Sequence, residues 1–191
     1  MSEAVAERAL RADAQRNLEL ILDAAAAAFA DKGHEASVAD IAKAAGVGQA
    51  TIFRRFETKD DLIAAVFERG MVQVLEAAQA AQRKASAWDG LCQWMAKVTE
   101  MQIRDRGFFQ ANAERMMADP QIRARKAEIA VAVEQLVRRA QAEGSLREDI
   151  VPGDIHALSC AAVQAATTDP SASPRAWKRY LQVITDGMRA T

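Results

Sequence analysis

Four basic side chains are concentrated in one stretch of the sequence, Val38–Leu62. They are Lys43, Arg54, Arg55 and Lys59. Guanidinium and ammonium groups donate charge-assisted hydrogen bonds to phosphate oxygens, so this stretch is chemically suited to binding a polyanion. The chain as a whole balances 25 Lys+Arg against 26 Asp+Glu. A protein of such even charge does not coat nucleic acid or membranes indiscriminately, so any contact with nucleic acid must be local.

The sequence lacks the common signatures of catalysis and metal binding. No Gly-x-Ser-x-Gly, phosphate loop, His-Glu-x-x-His or dinucleotide-binding fingerprint occurs, and the 2 histidines are isolated from one another. Cys92 and Cys160 lie far apart, outside any Cys-x-x-Cys spacing, which is typical of reduced, buried cysteines in a cytosolic protein. We therefore expect no enzyme, no metal site and no cofactor.

Nothing in the sequence indicates a membrane protein. No stretch reaches the ~18 apolar residues that a transmembrane helix needs, and no basic segment followed by a long apolar run stands at the start. We therefore expect a soluble chain with no membrane partner, located in the cytoplasm.

Composition and periodicity predict an all-α fold. Half of the 191 residues are hydrophobic, only 5% are aromatic, and alanine is very abundant, a balance that favours helix over strand. The stretch "AVAERALRADAQR" near the start is expected to form a frayed helix or an arm with little fixed structure. Capping signatures and apolar spacing predict about nine helices: a short one after residue 104, and the others over about 14–32, 37–46, 49–55, 58–78, 86–104, 119–144, 152–168 and 174–189.

The second and third predicted helices have helix-turn-helix spacing. Ile41, Ala45, Val47 and Ile52 can form one small core, and Gly46 permits the turn between the two helices. In such a pair the first helix braces across the phosphates while the second lays an exposed face in the major groove of DNA.

Helical geometry predicts which side chains face the groove. At about 100° per residue, directing Ile52 toward the core places Phe56 on the same side. The side chains most nearly opposite are Ala50, Thr51 and Arg54. Residues that flank this face, or begin the next helix, can reach the phosphates, and they are Phe53, Arg55 and Lys59.

The stretch "ILDAAAAAFADKGHEASVADIAKAAGVGQATIFRRFETKDDLIAAVF" resembles the DNA-binding region of tetracycline-repressor-like (TetR family) transcriptional regulators, over about Ile21–Phe67. Later, "GSLREDIVPGDI" and "WKRYLQVITDGM" resemble the family's regulatory half less specifically. The resemblance implies a homodimer that binds a palindromic operator on double-stranded DNA and is released by a small molecule. It implies a helix-turn-helix DNA-binding domain at residues 14–58 and an effector-binding and dimerisation domain at residues 59–191.

The resemblance also implies roles for individual residues. Base edges are contacted by Gln49, Ala50 and Thr51, and the DNA backbone by Phe53, Arg55 and Lys59. A glutamine pairing with adenine contributes about 1–3 kcal/mol of discrimination. Two positions depart from the family, which usually has tyrosine at Phe53 and histidine or tyrosine at Arg55. Phe53 cannot donate a hydroxyl to phosphate, whereas Arg55 offers a stronger charged contact. The role of Arg54 rests on helical geometry alone.

Aromatic and methionine residues cluster in the middle of the chain, where they suit an adaptable pocket for an apolar or aromatic effector. Each of them also suits an ordinary core. With two polar candidates, the predicted effector-pocket residues are Trp88, Trp94, Met95, Met101, Phe108, Phe109, Asn112, Met116 and His156.

The last two predicted helices are candidates for a dimer interface. One apolar stripe on the final helix comprises Trp177, Leu181, Ile184 and Met188. Ala161 and Ala165 keep the preceding helix slim enough for a four-helix interface between two subunits. A purely internal core helix would show the same stripe. The family resemblance favours the dimer, whose two-fold symmetry places operator half-sites about 34–36 Å, or a multiple, apart.

Two other functions remain open on the sequence alone. One is a helix-turn-helix regulator or nucleoid-type interaction protein that uses the same basic stretch without any effector. The other is activation in place of repression, because that sign depends on where the operator lies relative to the promoter.

Overall fold

The computed structural model describes residues 2–105, 108, 112, 116, 118–168, 173 and 175–190, without the side chains of residues 2–6 and 9–11. This part of the chain contains eight α-helices. They are α1 (Ser2–Lys32), α2 (Val38–Ala45), α3 (Gln49–Phe53), α4 (Lys59–Gln82), α5 (Ala87–Arg104), α6 (Pro120–Ala142), α7 (Pro152–Thr168) and α8 (Ala176–Met188). The predicted all-α fold is confirmed. The additional short helix was expected after Arg104, where most residues lie outside those described.

Beta structure in the described residues is limited to an isolated antiparallel bridge between Leu146 and Arg189. None of the helices in this part of the chain combines the length and apolar composition that a bilayer crossing requires. Helix α1 begins at Ser2 instead of near residue 14, so the segment expected to be a frayed helix or an arm has helical backbone. Its alanine, leucine, glutamate and arginine residues are good helix formers.

The helix starts form where the sequence places capping residues. The Thr58 N–H donates to Asp61 Oδ2 at 2.9 Å and the Asp61 N–H donates to Thr58 Oγ1 at 3.1 Å, which is a reciprocal capping box at the start of α4. At the start of α6, Asp119 accepts from the backbone N–H of Gln121 at 2.7 Å, and Pro120 occupies the first turn. These caps explain why the predicted starts of α4 and α6 agree with the structure.

The chain divides into two compact units. The N-terminal unit comprises Met1–Arg69 with Asp105–Met116, and the C-terminal unit comprises Gly70–Arg104 with Met117–Thr191. Helix α4 therefore contributes residues to both. The sequence predicted a boundary at residue 58 between a DNA-binding domain and a regulatory domain. That boundary is defined by function, and it stays a prediction.

The N-terminal unit is built around α1, α2, α3 and the first part of α4. Its fully buried side chains include Ile21, Phe29, Ile41, Ile52, Leu62 and Ile63. Arg69 ties α4 to α1, because its guanidinium donates to the Leu22 carbonyl at 3.0 Å and to the Asp23 carboxylate at 2.8 Å. The short helix α3 packs against α2, which in turn packs against α1.

The C-terminal unit has an apolar core shared by α5, α6, α7 and α8. Helices α4 and α5 approach closely within this unit, since a Cβ added at Gly90 would lie 2.5 Å from the Ala81 carbonyl oxygen. Arg139 of α6 donates to the carbonyls of Gln82 and Ala85 at 2.8 and 2.7 Å, which closes the turn between α4 and α5.

Candidate nucleic-acid interface

Helices α2 and α3 form the predicted helix-turn-helix. Ser37 caps α2 by accepting the Asp40 N–H at 3.0 Å. Gly46 ends α2 with φ +68°, in the left-handed region that glycine adopts at little cost. The side chains of Ile41 and Ile52 are buried, as the small predicted core requires, and Val47 is half-buried. Because Ile52 is the buried residue of α3, the other residues of this helix are free to face outward.

The outward face of α3 carries most of the predicted DNA-contacting residues. Exposed side chains on and just after the helix are Gln49, Ala50, Phe53, Arg54 and Arg55. Phe53 is 47% exposed. Thr51 is half-buried, and its hydroxyl accepts a hydrogen bond from Arg54 Nη2 at 3.3 Å. The structure therefore brings Thr51 and Arg54 together beside an exposed aromatic ring.

Lys59 is positioned by contacts that the sequence did not reveal. Its ammonium group donates to the His34 carbonyl oxygen and lies 5.9 Å from the centroid of the Phe29 ring. An ammonium group has further N–H donors, so this bond leaves capacity for a phosphate oxygen. No role was predicted for His34, because a backbone carbonyl acting as an acceptor has no signature in the sequence.

Asp40, an acidic residue near the basic surface, is already paired. Asp40 at the start of α2 lies 3.6 Å from Lys32 Nζ. The Ser37 hydroxyl and the Lys32 ammonium both lower the pKa of Asp40 below its ordinary value, so it stays ionised and partly neutralised by Lys32. Lys43, on the same helix, is exposed.

The predicted effector-pocket residues divide between the two units. Trp88, Trp94, Met95 and Met101 belong to the core of the C-terminal unit. Phe108, Asn112 and Met116 are buried and belong to the N-terminal unit. Phe109 lies outside the described residues. His156 is exposed on α7, with its Nε2 3.7 Å from Cys160 Sγ, and burial of part of its ring lowers its pKa.

A groove of about 450 Å³ lies between α5 and α8 of the C-terminal unit. It is lined by Cys92, Ala96, Lys97, Glu100, Trp177, Lys178, Leu181, Gln182 and Thr185. None of the residues predicted for the effector pocket lines it. Burial raises the pKa of Cys92 to about 11, with a smaller effect from Asp89, so its thiol is protonated at neutral pH.

The residues predicted for the dimer interface occupy two different environments. Trp177, Leu181 and Met188 are buried in the core of their own unit, and Ile184 packs against it half-buried. The stripe on α8 therefore matches the alternative of an internal core helix. Ala161 and Ala165 are exposed on α7.

Sequence comparisons assign the chain to a family. Residues 21–66 match the family described as "Bacterial regulatory proteins, tetR family". Residues 86–190, more than half of the chain, match the "Transcriptional regulator SbtR-like, C-terminal domain" family. The chain therefore belongs to the TetR family of transcriptional regulators and has an SbtR-like C-terminal domain. This is a family of DNA-binding regulators and not of enzymes, in agreement with the sequence analysis.

Solved structures share the fold along nearly the whole chain. The TetR transcription regulatory protein from Mycobacterium vanbaalenii is 27% identical, with a TM-score of 0.75 over 95% of this chain and 99% of that one. The transcriptional regulator FadR from Bacillus subtilis, solved in complex with stearoyl-CoA, is 21% identical, with a TM-score of 0.65 over 90% of this chain and 99% of that one. At 21% identity the second likeness shows the fold alone.

A third relative matches a shorter region. The "Fatty acid metabolism regulator protein" of Bacillus subtilis (strain 168) is 40% identical over 57 residues, which are 29% of this chain and 29% of that protein. The match thus spans less than a third of either protein, so the relative's role in fatty acid metabolism does not transfer with it.

Proposed function

We propose that this TetR-family regulator is a homodimeric repressor. Its paired α3 helices bind a palindromic operator, and a small apolar or aromatic effector releases it. Such a regulator of chromosomal genes acts in the cytoplasm. The observation that carries the proposal is the surface of α3, where Ile52 alone is buried while Gln49, Phe53 and Arg54 face outward.

The chemistry of this surface suits DNA. Gln49 can donate to and accept from an adenine edge, and Arg55 and Lys59 supply cations for the flanking phosphates. Phe53 provides apolar contact where a phosphate-binding tyrosine is usual in the family. The nearby carboxylate of Asp40 is paired with Lys32. This pairing reduces the repulsion between Asp40 and the DNA backbone.

The effector is proposed to be mainly apolar with at least one hydrogen-bond donor. Asn112 is 2% exposed, and its Nδ2 donates to the Phe108 carbonyl at 2.9 Å. Among the described residues its Oδ1 is buried without a hydrogen-bond partner, and a buried acceptor left unpaired costs about 1–3 kcal/mol. A hydroxyl or N–H of an effector would remove that cost. The same fold holds stearoyl-CoA in FadR of Bacillus subtilis, which supports a ligand with a long apolar part.

The dimer is proposed to pack through the outward sides of α7 and α8. Ala161 and Ala165 give α7 a slim exposed face, and Val183 of α8 is 67% exposed. Exposed apolar and small residues on neighbouring helices suit a four-helix interface. Two-fold symmetry then requires an inverted repeat whose half-sites lie about 34–36 Å, or a multiple, apart. An effector can bind more tightly to a dimer in which the two α3 helices lie at a different separation. A coupling free energy of about 1–3 kcal/mol between effector and DNA then weakens operator binding about 5–150-fold.

The proposal is tested by recovering the DNA site first and the effector second. Genomic fragments bound by the purified chain are sequenced, and we expect enrichment of one inverted repeat. Thermal-shift screening of fatty acids, acyl-CoAs, steroids and aromatic acids then identifies ligands, because a bound effector raises stability by mass action. A stabilising compound that also lowers operator affinity supports the full proposal.

The second step, the effector screen, distinguishes this proposal from the alternative of a regulator that has no effector. If the inverted repeat is recovered and no compound changes DNA affinity, the DNA-binding part stands and the effector part fails. A promoter fusion measured with and without the gene distinguishes repression from activation.

A further inference from the structure

The segment Asp105–Met116 packs with the N-terminal unit although it is far from the helix-turn-helix in sequence. Three of its residues, Phe108, Asn112 and Met116, are described, have helical backbone and are buried. These three side chains are therefore part of the core of the unit that carries the candidate DNA interface.

Phe108 is enclosed by aromatic rings from two other helices. Its ring centroid lies 5.7 Å from that of Phe29 in α1, with the rings inclined by 22°, and 6.1 Å from that of Phe67 in α4. These are favourable distances for aromatic pairs. Phe29 and Phe108 are each 1% exposed, so neither ring can shift without displacing its neighbour in a close-packed core.

The Phe29 ring also lies beneath the Lys59 ammonium. Lys59 Nζ is 5.9 Å from the Phe29 centroid and donates to the His34 carbonyl oxygen. A lysine side chain has a flexible four-carbon stem. Holding the ammonium in advance reduces the conformational entropy lost when it binds a phosphate. The contacts thus run from Phe108 through Phe29 to a predicted phosphate-binding group.

We propose that Phe108 is a positioning residue for Lys59. It fixes the Phe29 ring, and that ring together with the His34 carbonyl fixes the ammonium that contacts a DNA phosphate. The inference rests on the proposed function, in which Lys59 contacts the DNA backbone. It adds a route by which a change in the 105–116 segment alters DNA affinity, because displacing Phe108 releases the lysine.

The test is a double-mutant cycle on the full-length chain. The variants are Lys59→Ala, Phe108→Leu and their combination, since leucine keeps apolar bulk while removing the ring. The probe is a short duplex of mixed sequence, titrated over about 50–200 mM KCl, because non-specific affinity reports phosphate contacts without requiring the operator. Met116→Leu is the matched control, a buried substitution in the same segment.

Lys59→Ala alone is expected to reduce the slope of log K against log[KCl] by about 0.9, the value for one phosphate contact. In the Phe108→Leu background the same substitution is expected to change the slope by less than half as much. The Met116→Leu background should retain the full change. An equal effect of Lys59→Ala in the wild-type and Phe108→Leu backgrounds overturns the proposal.

A second measurement monitors the surroundings of the Lys59 side chain directly and does not require DNA. In protein labelled with ¹³C-lysine, we expect the ring current of Phe29 to shift the resonance of the Lys59 ε-methylene protons. Phe108→Leu is expected to move this resonance toward the value seen in Phe29→Leu, whereas Met116→Leu leaves it in place. If Phe108→Leu does not fold, the milder Phe108→Met is measured in the same way. An unchanged Lys59 resonance in a folded Phe108 variant contradicts the inference.

Failure of this inference and failure of the proposed function give different results. If Lys59→Ala leaves the salt slope unchanged in the wild-type background, Lys59 is not a phosphate contact and both the proposed role of this lysine and the inference fail. If the slope changes equally in all backgrounds, the proposed function stands and Phe108 has no positioning role.

Discussion

Helices α3 and α8 differ in how many of their side chains are buried. Helix α3 runs only from Gln49 to Phe53, buries Ile52 alone and leaves Phe53 47% exposed. Helix α8 buries Trp177, Leu181 and Met188 in the core of its own unit. A helix that buries so little is supported by its neighbours and is free to present side chains. Substitutions on α3 should therefore alter DNA binding at constant stability, and those on the buried stripe of α8 should lower stability.

The largest expected effect is on α8. Trp177→Ala removes a large buried side chain, and such substitutions cost about 3–5 kcal/mol of folding free energy. We expect that loss in urea unfolding monitored by circular dichroism. Val131→Ala on the exposed side of α6, which lies outside the proposed interfaces, is the control, with a change within about 0.5 kcal/mol. If Trp177→Ala leaves the free energy of unfolding unchanged while sedimentation shows a weaker dimer, Trp177 would instead lie in the subunit interface.

The next effect is on phosphate binding beside α3. Arg55→Ala removes a charge-assisted contact, so affinity should fall by about 1.5–3 kcal/mol on every duplex tested. The salt slope should flatten by about 0.9. Fluorescence anisotropy across KCl measures both quantities. Arg83→Ala, an exposed arginine after α4, makes the same change of net charge. An equal loss in both variants would show that Arg55 acts only through overall charge.

Loss of a base contact should give an effect of comparable size that is restricted to the operator sequence. Gln49→Ala should lose about 1–3 kcal/mol of preference for the correct base pair while keeping affinity for mixed-sequence DNA. The check compares affinity for the recovered operator with affinities for single base-pair variants. Loss of affinity for all sequences alike would instead place Gln49 on the backbone.

The smallest effect concerns the departure from the family at Phe53. Phe53→Tyr restores the hydroxyl that family members usually have, and a hydrogen bond to phosphate contributes about 0.5–1.5 kcal/mol. We expect a tighter complex with an unchanged melting temperature, because the ring is already exposed. No gain in affinity would indicate that the Phe53 ring does not lie beside a phosphate.

The sequence could predict much of the fold because its signals are local. Ser37, Thr58 and Asp119 cap helices within three residues of themselves, and Ile52 marks the buried side of α3. What could not be predicted depends on contacts distant in sequence. Lys59 is held by Phe29 and His34, and Phe108 joins the N-terminal core, although no spacing rule connects these positions.

The stripe on α8 shows a second limit. Trp177, Leu181 and Met188 repeat at helical spacing, which correctly predicts that this face is buried. Periodicity does not say whether the same chain or a second subunit buries it. The structure places these residues in the core of their own unit, so a dimer interface through α8 would require the other side of the helix.

The most direct test of the central claim, that the exposed face of α3 reads DNA, is DNase I footprinting on the recovered genomic fragment. We predict one protected inverted repeat with half-sites about one helical turn, or a multiple, apart. Gln49→Ala should lose this selective protection at a concentration where it still binds DNA. Uniform protection by the wild-type chain, or selective protection unchanged by substitutions at Gln49, Arg54 and Arg55, would contradict the account.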